Sequence, residues 1–186
     1  MRRLANLLLA IVLLPFILLL IILVSIILLF KQGRPLLYWS KRIGKNGLMF
    51  SMPKFRTMTI NTPEVATHML NDPDIFLTPL GRFLRKTSLD ELPQIWSVIN
   101  GDMNFVGPRP ALFNQEDLIK FRIEEGVDKL VPGITGWAQI NGRDELLIPD
   151  KVKLEVEYLE QQSLWFDVKI LWLTLVKVIS QDSVSH

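Results

Sequence analysis

Residues 86–110 read KTSLDELPQIWSVINGDMNFVGPRP. Two adjacent acids, Asp90 and Glu91, precede the apolar residues Ile95, Trp96, Val98 and Ile99, and the stretch closes on Pro108-Arg109-Pro110. Arg82, Arg85 and Lys86 stand just upstream. Ser88, with Glu91 three residues on, has the form of a capping box at the start of a helix. Pro93 fits the first helical position better than an interior one, so the regular helix starts at Ser88 or at Pro93. Asn100-Gly101 ends it. In either register the acids sit at a helix N-terminus, where free N–H groups favour bound anions. Capping alone would account for the acids, and so would a catalytic site.

Working upstream, two apolar runs on either side of Asn46-Gly47 read as a β-hairpin, followed at once by Lys54, Arg56 and Thr57. Residues 59–77 read as a polar, proline-bearing loop with one short helix over 65–70, and residues 78–86 as a helix. Downstream, residues 111–130 read as an amphipathic helix broken near Gly126. Residues 131–143, VPGITGWAQINGR, are punctuated by Pro132, Gly133, Gly136 and Gly142 and read as loop. Gln139, Asn141 and Arg143 equip that loop for a phosphate or sugar, although an ordinary surface loop has the same composition. Residues 149–162 read as a charged helix. Residues 163–180 are apolar on most sides, with Trp165, Phe166 and Trp172 among Lys169 and Lys177. This last helix suits either the membrane interface or the core.

Residues 7–30 are apolar apart from Ser25, with Pro15 inside the run. A helix needs about 20 apolar residues to cross a hydrocarbon core, so the run is long enough. It is too long for a signal peptide, and no small-x-small cleavage site follows. A spanning anchor is one reading. Pro15 and basic residues at both ends (Arg2 and Arg3, then Lys31, Arg34, Lys41 and Arg42) point instead to a hairpin that returns to the face it entered.

Composition narrows the chemistry. Of 186 residues, 49% are hydrophobic, an excess concentrated in the N-terminal run, and the net charge of +2 is too small to predict nucleic-acid binding. The absence of cysteine excludes disulfides and thiolate chemistry, and two histidines leave little for a metal cage or a Ser-His triad. Carboxylates, Arg and Lys remain. Adjacent acids on a helix point about 100° apart, so Asp90 and Glu91 are fitted to different tasks. A carboxylate can contact Mg²⁺ alongside substrate phosphates, or attack phosphorus itself. Arg85 and Arg109 could clamp a phosphate in bidentate fashion. Phosphoryl transfer at a membrane is the chemistry these residues support.

The stretch 86–110, with KFRTM at 54–58 before it and PGITGWAQINGR at 132–143 after it, resembles the bacterial sugar transferase family, specifically its small monotopic phosphoglycosyl transferases. The resemblance covers nearly the whole chain. It implies an α+β fold: a re-entrant membrane helix over residues 1–32, broken at Pro15, then a catalytic domain over residues 33–186. That domain would be mostly helical, with a short β-hairpin and amphipathic interfacial helices, on the cytoplasmic face of the bacterial inner membrane. The implied reaction moves a sugar 1-phosphate from a UDP-sugar to undecaprenyl phosphate, releases UMP, and opens the membrane stage of glycan assembly (O-antigen, capsule or glycoprotein). The family's motifs place the nucleophile and Mg²⁺ contact on Asp90, with Glu91 assisting by positioning or proton transfer. They place substrate contacts on Lys54, Arg56, Arg85, Pro108, Arg109, Pro110, Gln139 and Arg143. No nucleic acid is implied, and a homodimer is compatible with the sequence. A non-catalytic membrane adaptor of a glycan-assembly complex is the alternative. The chain departs from the family pattern at Asn6, where an acid is usual, at Leu14, where Ser commonly precedes the proline, and at Val131, where a basic residue is common. The first two departures predict weaker polar contacts fixing the membrane helix.

Overall fold

The computed structural model describes residues 1–60, 62–63, 72–142 and 146–179. The short helix expected over 65–70 and the Arg143 side chain lie outside these residues.

Helix α1, Arg2–Gln32, is built mainly of Leu and Ile, with its polar residues gathered near the two ends apart from Ser25. It is one continuous helix with Pro15 inside it, so the helix-break-helix expected from that proline is not seen as an interruption. A proline deletes one donor, and the unbroken apolar run on either side carries the helix through. Gly33, at φ 66°, ends it in a conformation that favours glycine. By length and composition α1 suffices to cross a membrane. Only a narrow stripe is covered: Asn6, Ala10, Val24 and Leu28 are buried, while Leu8, Ile11, Val12, Phe16, Leu19 and Phe30 stay exposed.

Strands β1 (Leu37–Ile43) and β2 (Met49–Phe55) pair antiparallel from Leu37↔Phe55 to Ile43↔Met49, as the sequence predicts. Asn46 at φ 55° and Gly47 at φ 74° make the turn. After the short α2 (Pro73–Phe76), helix α3 (Pro79–Lys86) starts at Thr78, whose hydroxyl accepts the Gly81 N–H. A 3-10 segment, Leu89–Gln94, then leads into α4 (Ile95–Asn100), which ends at Gly101 with φ 98°. Pro93 therefore sits in the 3-10 turn, and the regular helix begins two residues later.

Strand β3 (Asn104–Val106) pairs parallel with β5 (Gly133–Thr135), and β4 (Ala111–Leu112) adds to the free side of β1. The predicted helix over 111–130 is shortened to α5 (Glu116–Glu124), because its first residues join the sheet and Gly126 turns at φ 72°. The stretch read as loop holds β5 and α6 (Trp137–Ile140). Helices α7 (Ile148–Gln161) and α8 (Leu164–Ile179) complete the domain. The core gathers Met52, Ile95, Val98, Met103, Phe105, Val152, Tyr158, Phe166 and Ile170, with Ala10 contributed by α1. Helix α8 takes the core alternative on one side, where Phe166 and Ile170 are buried, while Trp165, Trp172 and Val176 remain exposed on the other.

Both ends of α1 are fastened to this one domain. At the N-terminal end, Arg2 Nε donates to Asp167 Oδ2 at 3.0 Å and its NH2 group reaches the Tyr158 hydroxyl. Arg3 donates to the carbonyls of Val98 and Ile99 at the end of α4. Asn6 accepts the Phe105 N–H at 2.7 Å and donates to the Arg2 carbonyl at 2.8 Å. The weakening predicted from Asn6 is not what the structure has, because a carboxamide does both jobs and a carboxylate could only accept. At the C-terminal end, Gln32 donates to Thr78 Oγ1 at 2.7 Å, and Arg56 donates to the carbonyls of Gln32 and Gly33 at 2.8 and 3.1 Å.

Candidate active site

Four elements converge on the acid pair. Strand β2 delivers Lys54, the end of α3 delivers Arg85, the 3-10 segment delivers Asp90 and Glu91, and the turn after β3 delivers Arg109. Ser88 takes a left-handed conformation, φ 57° and ψ 17°, and makes no side-chain cap. The capping reading of Glu91 therefore gives way to a tertiary one: Glu91 Oε1 accepts from Lys54 Nζ at 2.7 Å and from Arg109 NH2 at 2.9 Å. Burial by itself would push the Glu91 carboxyl up. The charges and hydrogen bonds of Arg109 and Lys54 outweigh it and hold the group well below the ordinary carboxylate range. Lys54 is lowered by burial, with Glu91 and Asp90 opposing that shift.

Asp90 has the opposite environment. Its residue is 7% exposed, and among the described residues no hydrogen bond or salt bridge engages its carboxylate. Burial raises it above the usual carboxylate value, while Lys54, Arg85 and Arg109 pull it down and Glu91 adds to the rise. One acid is thus neutralised by two cations, and the other is left within their field but unbound. Arg85, lowered by burial, donates through Nε to Thr57 Oγ1 at 3.0 Å.

The Pro108-Arg109-Pro110 turn is held by its carbonyls. Pro108 accepts the Gly133 N–H at 2.9 Å, Arg109 accepts from Arg122 NH2 at 2.9 Å, and Pro110 accepts from Arg42 NH1 at 3.0 Å. The structure thus brings Lys54, Arg85, Asp90, Glu91, Arg109 and its flanking prolines together. Arg56 is not with them; its guanidinium serves the end of α1. Gln139 holds both polar side-chain atoms buried without a partner among the described residues. Sequence reading named Thr57 inside the 54–58 motif and Arg42 among the basic flank but gave neither a part in the site, and it missed Arg122 and Glu155, which carry no local signal.

No group of three or more His, Cys, Asp or Glu that could hold a metal occurs among the described residues. Mg²⁺ does not require one, since it keeps water and takes one or two carboxylates with substrate phosphates. Asp90, lacking another partner, fits that part; Glu91 is already engaged.

Fold and site together describe a mixed helix-and-strand protein, mostly helical, with one N-terminal helix long and apolar enough to cross a membrane and a cluster of two acids among three basic residues. Residues 1–181 match the bacterial sugar transferase family. An uncharacterised sugar transferase, EpsL, of Bacillus subtilis is 38% identical over 186 residues, covering all of this chain and 91% of that protein. The UDP-glucose:undecaprenyl-phosphate glucose-1-phosphate transferase of Escherichia coli is 41% identical over 77% of this chain. The undecaprenyl-phosphate galactose phosphotransferase of Salmonella typhimurium is 36% identical over 82% of it. The match spans only 32% and 35% of those two larger proteins. The chain belongs to the bacterial sugar transferase family.

Proposed function

We propose that this protein transfers a sugar 1-phosphate from a UDP-sugar to a polyprenyl phosphate of the undecaprenyl type. The observation that carries this reading is the buried, unbonded Asp90 set among Lys54, Arg85 and Arg109. An Asp90 oxygen attacks the sugar-bearing phosphorus, and the bond from that phosphorus to the UMP oxygen breaks. UMP leaves with the electron pair, and an aspartyl-phosphosugar remains. A phosphate oxygen of the lipid then attacks the same phosphorus, breaks the Asp90 linkage and yields the polyprenyl-diphosphate sugar. Splitting the reaction lets a water-borne donor and a lipid acceptor use the site in turn. Bound Mg²⁺ would offset phosphate charge beside Asp90. Arg109 and Arg85 stabilise the charge that develops on the leaving phosphate. The two cations on Glu91 favour a positioning part for that acid over proton transfer.

The fastening of both ends of α1 to one domain supports a monotopic arrangement in which both ends stay on one side of the membrane; a re-entrant hairpin would in addition need a bend at Pro15, where α1 is continuous. The helix would lie in one leaflet of the inner membrane, with residues 33–186 on the cytoplasmic face, at the membrane opening of a glycan pathway. Incubating the purified protein with Mg²⁺ and radiolabelled UDP-sugars, without lipid, should put label on the protein with stoichiometric UMP. Asp90→Asn should abolish both, and full turnover in that variant would refute the nucleophile assignment. Labelling of a cysteine introduced near Met1 from the periplasm alone would refute the topology.

A further inference from the structure

A buried ion pair stands behind the arginine turn, and the proposed chemical steps make no use of it. Arg122 on α5 and Glu155 on α7 are 7% and 2% exposed. Arg122 Nε donates to Glu155 Oε2 at 2.8 Å and its NH2 group donates to Oε1, so guanidinium and carboxylate meet fork to fork. The same NH2 group donates to the Arg109 carbonyl. A desolvated pair of this kind is weak evidence of stabilisation, because well-packed apolar residues of similar volume often do as well or better. What the pair adds beyond itself is its grip on the backbone of Arg109. Two of the three residues in that turn are prolines and have no N–H to offer, so the turn must be fixed largely by donors that come to its carbonyls. The rigid guanidinium plane sets the Arg109 carbonyl relative to two helices at once.

We infer that Arg122 and Glu155 are positioning residues that set the reach of Arg109 toward Glu91 and, on the transfer reaction proposed above, toward the donor's diphosphate. The full chain in lipid nanodiscs with undecaprenyl phosphate, Mg²⁺ and UDP-glucose or UDP-galactose provides the assay, read as UMP release. Arg122→Met should lower kcat/KM by about 10- to 100-fold, the scale expected for a small misplacement of a catalytic group. In an Arg109→Met background it should have almost no further effect. An equal loss in both backgrounds would mean that Arg122 acts elsewhere, and would overturn the inference. Arg122→Met/Glu155→Met should melt at or above the wild type yet keep the activity loss; wild-type kcat/KM would overturn the inference. Should that variant not fold, Glu155→Gln preserves shape and should lose about 10-fold, with unchanged kcat/KM again overturning it. Hydrogen exchange at the Arg109 and Ala111 amides reads the turn without any turnover: it should quicken in Arg122→Met, and unchanged exchange refutes the positioning role. Quickened exchange alongside a wild type that consumes no UDP-sugar would sink the proposed reaction and leave the positioning role standing.

Discussion

Replacing Glu91 by Gln keeps the shape of the side chain and removes its charge. In the wild type, Oε1 accepts from Lys54, whose side chain is 14% exposed, and from Arg109, whose side chain is 37% exposed, while Glu91 itself is 18% exposed. The bond to Lys54 is the better shielded, and leaving that buried ammonium without its counter-charge costs about 2 kcal/mol. The bond to Arg109 is partly screened by water and contributes about 1 kcal/mol. The sum, about 3 kcal/mol, is at the low end for breaking a buried pair. For a chain of this size it corresponds to a fall of about 6–12 °C in Tm. Differential scanning fluorimetry of both proteins in the same nanodisc at pH 7 measures it. The pH dependence has a definite sign. Glu91 is held below its ordinary value in the fold, so the wild type's advantage is whole above about pH 4.3 and is lost as pH falls through the depressed folded value. An unchanged or higher Tm in Glu91→Gln, or an advantage that disappears between pH 7 and pH 5, would refute the reasoning.

Other perturbations test other joints. Gly133→Ala would place a Cβ 2.1 Å from the Gly107 nitrogen and 2.5 Å from the Thr135 carbonyl oxygen, both backbone atoms; it should cost at least about 1–3 kcal/mol and depress UMP release by displacing the arginine turn. Ser88→Gly relieves a left-handed residue at φ 57°. It should raise stability by about 0.5 kcal/mol, the left-handed penalty less glycine's entropy cost, while Ser88→Val should lower both Tm and labelling of Asp90. Arg2→Met breaks the tie to Asp167, whose side chain is 12% exposed; a loss of about 2–3 kcal/mol should appear as a lower Tm and as faster proteolysis near the N-terminus.

Local chemistry made some elements legible and left others hidden. The hairpin was readable because Asn46-Gly47 is a pair suited to two successive positive φ angles. Helix α3 and the end of α4 were readable from Thr78 and Gly101, because a capping hydroxyl and a left-handed glycine both act within their own turn. Strands β3 and β5 were not, since three residues carry no periodicity and their pairing depends on close backbone approach at Gly107 and Gly133. Alternation along a strand puts Lys54 and Arg56 on one face, but β2 ends at Phe55, and past that point Arg56 was free to turn to α1. The acid pair could be located but not apportioned: whether Glu91 capped a helix or paired with cations depended on Lys54 and Arg109, 37 and 18 residues away. Pro15 pointed to a break that α1 does not have, and what holds the helix to the domain lies at its ends, on partners as distant in sequence as Thr78 and Asp167.

The double fastening of α1 has a kinetic meaning. A domain tied to a bilayer at one point can tumble about its stalk, and its active site then faces the lipid only part of the time. A domain secured at Arg2 and again at Gln32 has lost that swing. On the monotopic arrangement proposed above, its face would stay turned to the plane in which a long-chain acceptor diffuses, and encounter would become a two-dimensional search with the angular part already solved. Cutting either attachment should then slow the lipid-dependent half of the reaction while leaving the nucleotide-dependent half almost untouched.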